Sequence, residues 1–427
     1  MEKLEAMIRK LDTPEVKSRL AELYGGDEKT IRYQQERYAS LIRMYGVIFG
    51  DREDVALISA PGRTEIGGNH TDHNHGRVLA ASVSLDTLCA VSPREDLKVR
   101  FHSEGYKPIE MDLADLSPRE DEEGTTKALI RGVAAGMKEK GYRIGGFDAA
   151  VTSTVAGGSG LSSSAALEVM LTGVLDALYN RFDMPYILRA QISQRAENVF
   201  FGKPSGLLDQ MASAAGGLVT VDFRDPAKPE VQPLQYDFAR KGFALVVVAT
   251  GGSHADLTDQ YSAIPAEMRA VARCCGQGVL RDITTAQLLE NAGTIRKEAG
   301  ERALLRAFHF VEEDLRVPEQ VKALREDRME DFLRLIIESG RSSYMYLQNV
   351  YAPETDQSLS LALCMAEELL KGKGAWRIHG GGFAGTTLNF VPTEQVDHFV
   401  EAMNRVFGEG ASKVLNIRPE GAAWLKC

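Results

Sequence analysis

Residues 154–168 read Thr-Val-Ala-Gly-Gly-Ser-Gly-Leu-Ser-Ser-Ser-Ala-Ala-Leu-Glu: a glycine turn, a serine cluster, then a helical pattern. The apolar run Phe147–Val151 precedes it, so the order is strand, turn, helix. Glycines let backbone N–H groups close on a ligand, and free N–H groups at a helix start favour negative charge. Serine hydroxyls can hydrogen-bond phosphate oxygens or reach a metal ion. A nucleotide triphosphate is the ligand such a loop suits. No lysine lies between Gly157 and Glu168, so the common Gly-x-x-x-x-Gly-Lys-Ser/Thr loop is excluded, and the glycine spacing is not that of a dinucleotide turn.

Three further segments carry chemistry. Pro61–Gly76 follows a buried-looking strand and is dense in polar side chains. Arg63 offers a planar fork of donors, while Asn69, His70 and Asp72 can donate to and accept from several hydroxyls, as sugar recognition requires. In Glu197–Gln210, one carboxylate, Glu197 or Asp209, could hold magnesium and the other could accept a proton from a substrate hydroxyl; both also read as helix-end carboxylates. Arg377–Thr386 places four glycines at a strand-to-strand turn, which implies close backbone packing. His73-x-His75 is a possible metal pair, but a metallohydrolase barrel needs further histidines at later strand ends, and regular strand–helix alternation is missing.

These segments need a scaffold. The 427 residues suffice for two or three domains, and 44% apolar with 26% charged residues is ordinary for a globular chain. Residues 1–46 pattern as amphipathic helices. Strands are expected at Val55–Ala60, Val78–Val83, Leu88–Val91, Phe147–Val151, Leu218–Asp222, Phe243–Thr250, Ala375–His379 and Thr386–Val391, and helices over 125–140, 164–180, 185–199 and much of 263–372. A turn-rich connector, Asp225–Pro229, suggests a domain boundary. Strands mixed with helices without a regular βαβ period indicate an α+β fold. The net charge of −10 argues against nonspecific nucleic-acid binding, and no apolar run is long enough for a membrane span. Five cysteines without a Cys-x-x-Cys pair, and no signal peptide, point to a cytoplasmic protein.

Taken in order, the segments resemble the galactokinase branch of the GHMP small-molecule kinases. Pro61–Gly76 resembles its sugar-binding signature, Gly158–Ala165 its phosphate loop, Pro204–Gln210 the segment of its catalytic aspartate, and Gly380–Gly385 its third glycine motif. The resemblance runs from about residue 40 to 425. It implies a helical extension (1–40), an N-terminal domain of the ribosomal-protein-S5-domain-2 type (41–225) and a ferredoxin-like C-terminal domain (226–427). It implies ATP- and Mg²⁺-dependent phosphorylation of the C1 hydroxyl of galactose. Asp209 would accept or orient the hydroxyl proton, with Arg63 holding it ionised. Asn69, His70, Asp72, Gly206 and Tyr261 would meet the sugar. Gly158, Ser159, Gly160, Leu161, Ser162, Ser163 and Ser164 would cradle the phosphates, and Ser164 with Glu197 would hold magnesium. The partners implied are a small sugar and ATP, with the chain a monomer or weak homodimer.

The departures from that family are specific. Asn69 stands where a glutamate usually meets the sugar's C6 hydroxyl, and Glu65 where an asparagine stands. Thr64, His73, His75, Ala156 and Ala384 also differ, and Thr126 and Leu129 replace aromatic residues near the adenine. Asn69 therefore raises a second expectation, a C6-modified sugar such as galacturonate. A non-catalytic sugar sensor on the same fold is the third.

Overall fold

The computed structural model describes residues 2–155, 160–251, 257–350, 356–383 and 385–426. The sheet that carries the sugar signature is built on two long antiparallel strands, β1 (Ala56–Gly67) and β2 (Arg77–Pro93). Their neighbours are β3 (Lys98–Ser103), β4 (Ile109–Asp112), β5 (Phe147–Ser153), β6 (Leu218–Asp222) and β7 (Glu230–Leu234). A second, four-stranded sheet has the order β11-β8-β10-β9, from β8 (Phe243–Ala249), β9 (Ala375–His379), β10 (Thr386–Pro392) and β11 (Ser412–Leu415). The chain then returns to the first sheet as β12 (Ala423–Leu425), giving the order β12-β1-β2-β5-β3-β4. β6 pairs with the first half of β2, and β7 with β6. The boundary expected at 226 is thus crossed twice: β7 and β12 both belong to the first sheet.

β1 is longer than its sequence suggests. Pro61-Gly62 reads as a strand end, yet the strand continues to Gly67 because β2 goes on supplying partners beyond it, with irregular register between Pro61 and Arg63 and between Glu65 and Gly67. Proline is tolerated at such irregularities. Arg63 and Glu65 therefore stand on a strand, not in a loop. The two strands expected at 78–83 and 88–91 are likewise one, β2.

Helices α1 (Glu2–Lys10), α2 (Pro14–Tyr24) and α3 (Glu28–Phe49) cover one face of the first sheet. Thr13 and Asp27 cap α2 and α3 through their side chains, as a Ser/Thr/Asp N-cap does. Leu20, Leu23, Tyr38, Ile42 and Tyr45 pack with Leu57, Leu88 and Ala150 of the sheet. The first helices are thus part of the N-terminal core, not an arm beside it, and α3 runs beyond residue 40. The other face is covered by α4 (Thr126–Glu139), α5 (Ser163–Tyr179), α6 (Tyr186–Arg195) and α7 (Leu208–Ala215). A π-turn, Ala196–Phe201, follows α6.

The C-terminal half adds α8 (Thr258–Cys274), α9 (Thr285–Glu298), α10 (Glu301–Arg325), α11 (Met329–Ser342), α12 (Ser358–Leu370) and α13 (Val396–Phe407). One apolar core crosses between the halves: Ile66, Leu79, Leu161 and Ala166 pack with Leu245, Val317, Phe332 and Leu388. The two sheets are thereby packed against one another through a shared core. Among the described residues no helix is long and apolar enough to cross a membrane.

Candidate active site

The phosphate-binding segment turns sharply into α5. Gly160 and Ser162 both have left-handed backbones (φ 69° and 60°). A Cβ on Gly160 would sit 2.0 Å from Thr386 Oγ1 of β10, so only glycine lets the loop meet the C-terminal sheet. The Leu161 carbonyl accepts from the Arg63 backbone N–H at 3.0 Å, tying loop to β1. Ser163 opens α5, whose N-terminus carries the unpaired N–H groups. Gly158 and Ser159 lie outside the described residues.

Arg63 and Asp209 meet across 146 residues of sequence. Arg63 Nε donates to Asp209 Oδ1 at 2.6 Å, and Arg63 Nη1 donates to the Gly160 carbonyl. Ser162 Oγ donates to Asp209 Oδ2 at 2.6 Å. The Arg63 side chain is 7% exposed and that of Asp209 29%, so the carboxylate is the member open to a ligand. Burial pushes the Asp209 pKa up, but Arg63, Ser162 and Lys203 more than offset it and hold the group below the usual aspartate range.

Ser164 and Glu197 also come together, as the resemblance implies. Ser164 Oγ donates to Glu197 Oε1 at 2.9 Å, and Lys203 Nζ lies 2.9 Å from the same oxygen. Ser205 Oγ and Gln210 Nε2 bond Oε2 at 2.6 and 2.8 Å. Gln210 Nε2 also donates to Glu168 Oε2 at 3.0 Å. Burial and the neighbouring Glu197 raise Glu168 well above the usual glutamate range. The ammonium of Lys203 stands where positive charge is wanted, beside two hard oxygen atoms. That donor set fits magnesium, which takes one or two protein oxygens and fills the rest with phosphate and water. Among the described residues no group of three or more His, Cys, Asp or Glu is gathered for a metal ion, which leaves His73-x-His75 without a metal set.

The sugar-signature loop is held mostly by the other half of the molecule. Glu313 of α10 accepts from the Gly68 and Asn69 backbone N–H groups at 3.0 and 3.2 Å. Although burial opposes it, Arg316 and His309 hold Glu313 down to about 2. Asn69 is fully buried. Its Nδ2 donates to Glu65 Oε1 (2.9 Å) and the Gly380 carbonyl (2.7 Å), and its Oδ1 accepts from Ser343 Oγ (3.1 Å) and Asn349 Nδ2 (3.0 Å). Both ends of the amide are spent on protein, so Asn69 is a structural tie here, contrary to its expected place against the sugar. His70 is similar: Nε2 donates to the Gly381 carbonyl at 2.9 Å, and Nδ1 meets His73 Nε2 at 3.3 Å. A carbonyl only accepts, which sets the His70 tautomer. Burial drives its pKa down to about 4, so it is neutral near pH 7.

Asp72 remains available. Oδ1 accepts from its neighbour His73 N–H at 2.9 Å and Oδ2 from Leu208 N–H at 3.3 Å. A Cβ on Gly206 would lie 1.7 Å from Asp72 Oδ2, so glycine permits this approach. Burial, with Asp209 nearby, pushes Asp72 up to about 6. Tyr261 donates to the Gly382 carbonyl at 2.8 Å and packs edge-on against Phe383, at the same glycine turn that receives His70.

Two buried groups were not anticipated. Arg377, fully buried, pairs with Glu65 Oε1 at 2.5 Å and donates to the Ile66 carbonyl at 2.5 Å. His379 accepts from the Glu65 N–H at 3.3 Å, which leaves its Nδ1 to donate to Thr386 Oγ1 at 2.9 Å. The clue was there: Ala-Trp-Arg-Ile-His is an apolar strand with polar side chains two residues apart, on one face.

Residues 45–93 match the galactokinase galactose-binding signature, and residues 128–217 the GHMP kinase N-terminal domain. The chain is 34% identical to a galactokinase of Streptomyces coelicolor over 379 residues, covering 87% of this chain and 94% of that protein. It is 33% identical to one of Actinobacillus pleuropneumoniae, covering 84% and 90%. The crystal structure of Lactococcus lactis galactokinase complexed with galactose superposes with a TM-score of 0.80 at 26% identity, over 91% of this chain and 99% of that one. A mevalonate kinase structure at 15% identity shares the fold, with a TM-score of 0.60 over 85% of this chain and 99% of that one. With the sugar signature, the kinase domain and close relatives matched over nearly their full length, the chain belongs to the galactokinase family of GHMP kinases.

Proposed function

We propose that this protein transfers the γ-phosphoryl group of ATP to the C1 hydroxyl of galactose, with magnesium, giving galactose 1-phosphate. The observation that carries the reading is Asp209: a carboxylate held ionised by Arg63, oriented by Ser162, and still open to a ligand. Its free face would accept the C1 hydroxyl proton. A carboxylate of lowered pKa is a weak base, so its part is to orient the hydroxyl and take the proton as the bond to phosphorus forms. Phosphoryl transfer depends mainly on positioning and on neutralising charge. Arg63 spends Nε on Asp209 and Nη1 on Gly160, which leaves Nη2 for a phosphoryl oxygen.

Ser164 and Glu197 would hold Mg²⁺, which supplies charge neutralisation at the phosphate oxygens. The N-terminus of α5 and the glycine loop would receive the phosphates. Asp72 would accept from ring hydroxyls. The identity with galactokinases supports galactose over the other sugars considered.

ADP release with MgATP across galactose, glucose, arabinose, N-acetylgalactosamine and galacturonate tests this. Turnover on galactose far above the rest is expected. Turnover on none, with the protein folded, would overturn it.

A further inference from the structure

Among the described residues, Glu65 on β1 has one carboxylate oxygen with no protein partner. Glu65 Oε1 receives both Arg377 and the Asn69 amide. For Oε2 no partner is present among the described residues, and it is not among the sealed, unpartnered atoms of the core. The Glu65 residue keeps a 5% exposed remainder. Its neighbours in this corner are occupied: Asn69 at both ends of its amide, and His70 at both ring nitrogens.

Position along β1 says what that oxygen can reach. Side chains two residues apart on a strand share a face and lie roughly 7 Å apart. Arg63, two residues before Glu65, meets Asp209, where the C1 hydroxyl would sit. A pyranose ring laid from Asp209 along β1 brings its far end, positions 4 and 6, towards Glu65.

Resting on the galactose reading above, we propose that Glu65 is a specificity-determining residue whose Oε2 accepts a hydrogen bond from a hydroxyl at the far end of the sugar. Arg377 and Asn69 are positioning residues that hold the carboxylate in place. An acceptor-only carboxylate cannot donate to a second carboxylate and repels it. The same arrangement therefore rejects galacturonate, although Asn69 alone suggested it.

The test measures Kd by calorimetry and kcat/KM for galactose and its 2-, 4- and 6-deoxy analogues, and for galacturonate. Wild type is compared with Glu65→Gln, and with Glu65→Gln/Arg377→Met, which removes the buried charge pair together. In wild type, loss of the 4- or 6-hydroxyl is expected to weaken binding by about 10–100-fold, the range of a hydrogen bond to a charged group. That penalty should shrink several-fold in whichever variant folds, while the 2-deoxy penalty stays unchanged. Galacturonate should bind detectably only in a variant. Equal 4- and 6-deoxy penalties in wild type and variant would overturn the inference. Glu65-dependent binding without turnover on any sugar would uphold it and overturn the kinase reading instead.

Discussion

Two aspartates in this molecule have similar partners and opposite fates. Asp209 meets Arg63 at 2.6 Å and Ser162 at 2.6 Å. Asp86 meets Arg37 at 2.6 Å, Arg418 at 3.2 Å, Ser59 Oγ, and Tyr24 Oη at 2.5 Å. Both are held below the usual aspartate range by arginines that offset burial. What separates them is openness. The Asp86 side chain is 0% exposed, roofed by α2 and α3, whereas that of Asp209 is 29% exposed at the floor of the cleft. An aspartate, an arginine and a hydroxyl make a structural lock when the last face is covered, and a reactive group when a substrate hydroxyl can complete the set.

The sharpest way to break the comparison is to neutralise Asp209 in the open site and to remove a cation from beside Asp86 in the closed one. Asp209→Asn should lower kcat by about 10²–10⁴-fold with the fold intact by circular dichroism. Asp86 should respond the other way. Arg37→Met, which removes one cation from the closed cluster, should cost about 3–5 kcal/mol in urea unfolding. Its kcat per folded molecule should stay near wild type. A mutant that reversed these outcomes would show that openness is not what divides the two sites.

A smaller effect sharpens the open site. Gln210 bridges Glu168 and Glu197, and partners behind a metal ligand typically contribute 10–100-fold in affinity (order of magnitude). Gln210→Leu should weaken Mn²⁺ binding in the presence of ATP by about that factor, read by electron paramagnetic resonance. Unchanged affinity would remove Gln210 from the site.

The mildest effect is on pH. Asp72, pushed up to about 6 by burial and Asp209, is a proton-bearing group below that value and an acceptor above it. Galactose KM should therefore rise as pH falls through about 6, and Asp72→Asn should flatten the profile. The stability sign is opposite to that of Asp209 and Asp86. A raised carboxyl pKa means the native state binds the proton more tightly, so this group's contribution is lost as pH rises from about 4 to about 6. Asp209 and Asp86, with lowered values, contribute above the unfolded-state pKa and lose that contribution as pH falls through their native values. Thermal unfolding of Asp72→Asn should show a gain over wild type at pH 7 and none at pH 4.

The Arg63–Asp209 and Ser164–Glu197 pairings were expected from the family resemblance and not from the residues alone. A glycine–serine run opening a helix has few structural uses, whereas Asp209 by itself reads equally as a helix-end carboxylate. The parts that escaped reading depend on distant chain segments. Pro61-Gly62 carries a strong break signal, yet β2 offers enough partners to carry β1 through it, and this is what puts Glu65 on a strand face. Glu65 and Arg377 are 312 residues apart, so no local pattern announces their pairing. The first helices were legible from Leu4, Met7, Ile8 and Leu11. Their docking was not, since it turns on Tyr24, Arg37 and Asp86 meeting Arg418 near the C-terminus.

The most direct test is a single-turnover assay. Wild type and Asp209→Asn, each in excess over [γ-³²P]ATP with Mg²⁺, are mixed with galactose and the labelled product is identified. The account predicts rapid appearance of galactose 1-phosphate with wild type and at least about a 100-fold slower rate with the variant. Equal rates, or label on any hydroxyl other than C1, would contradict it.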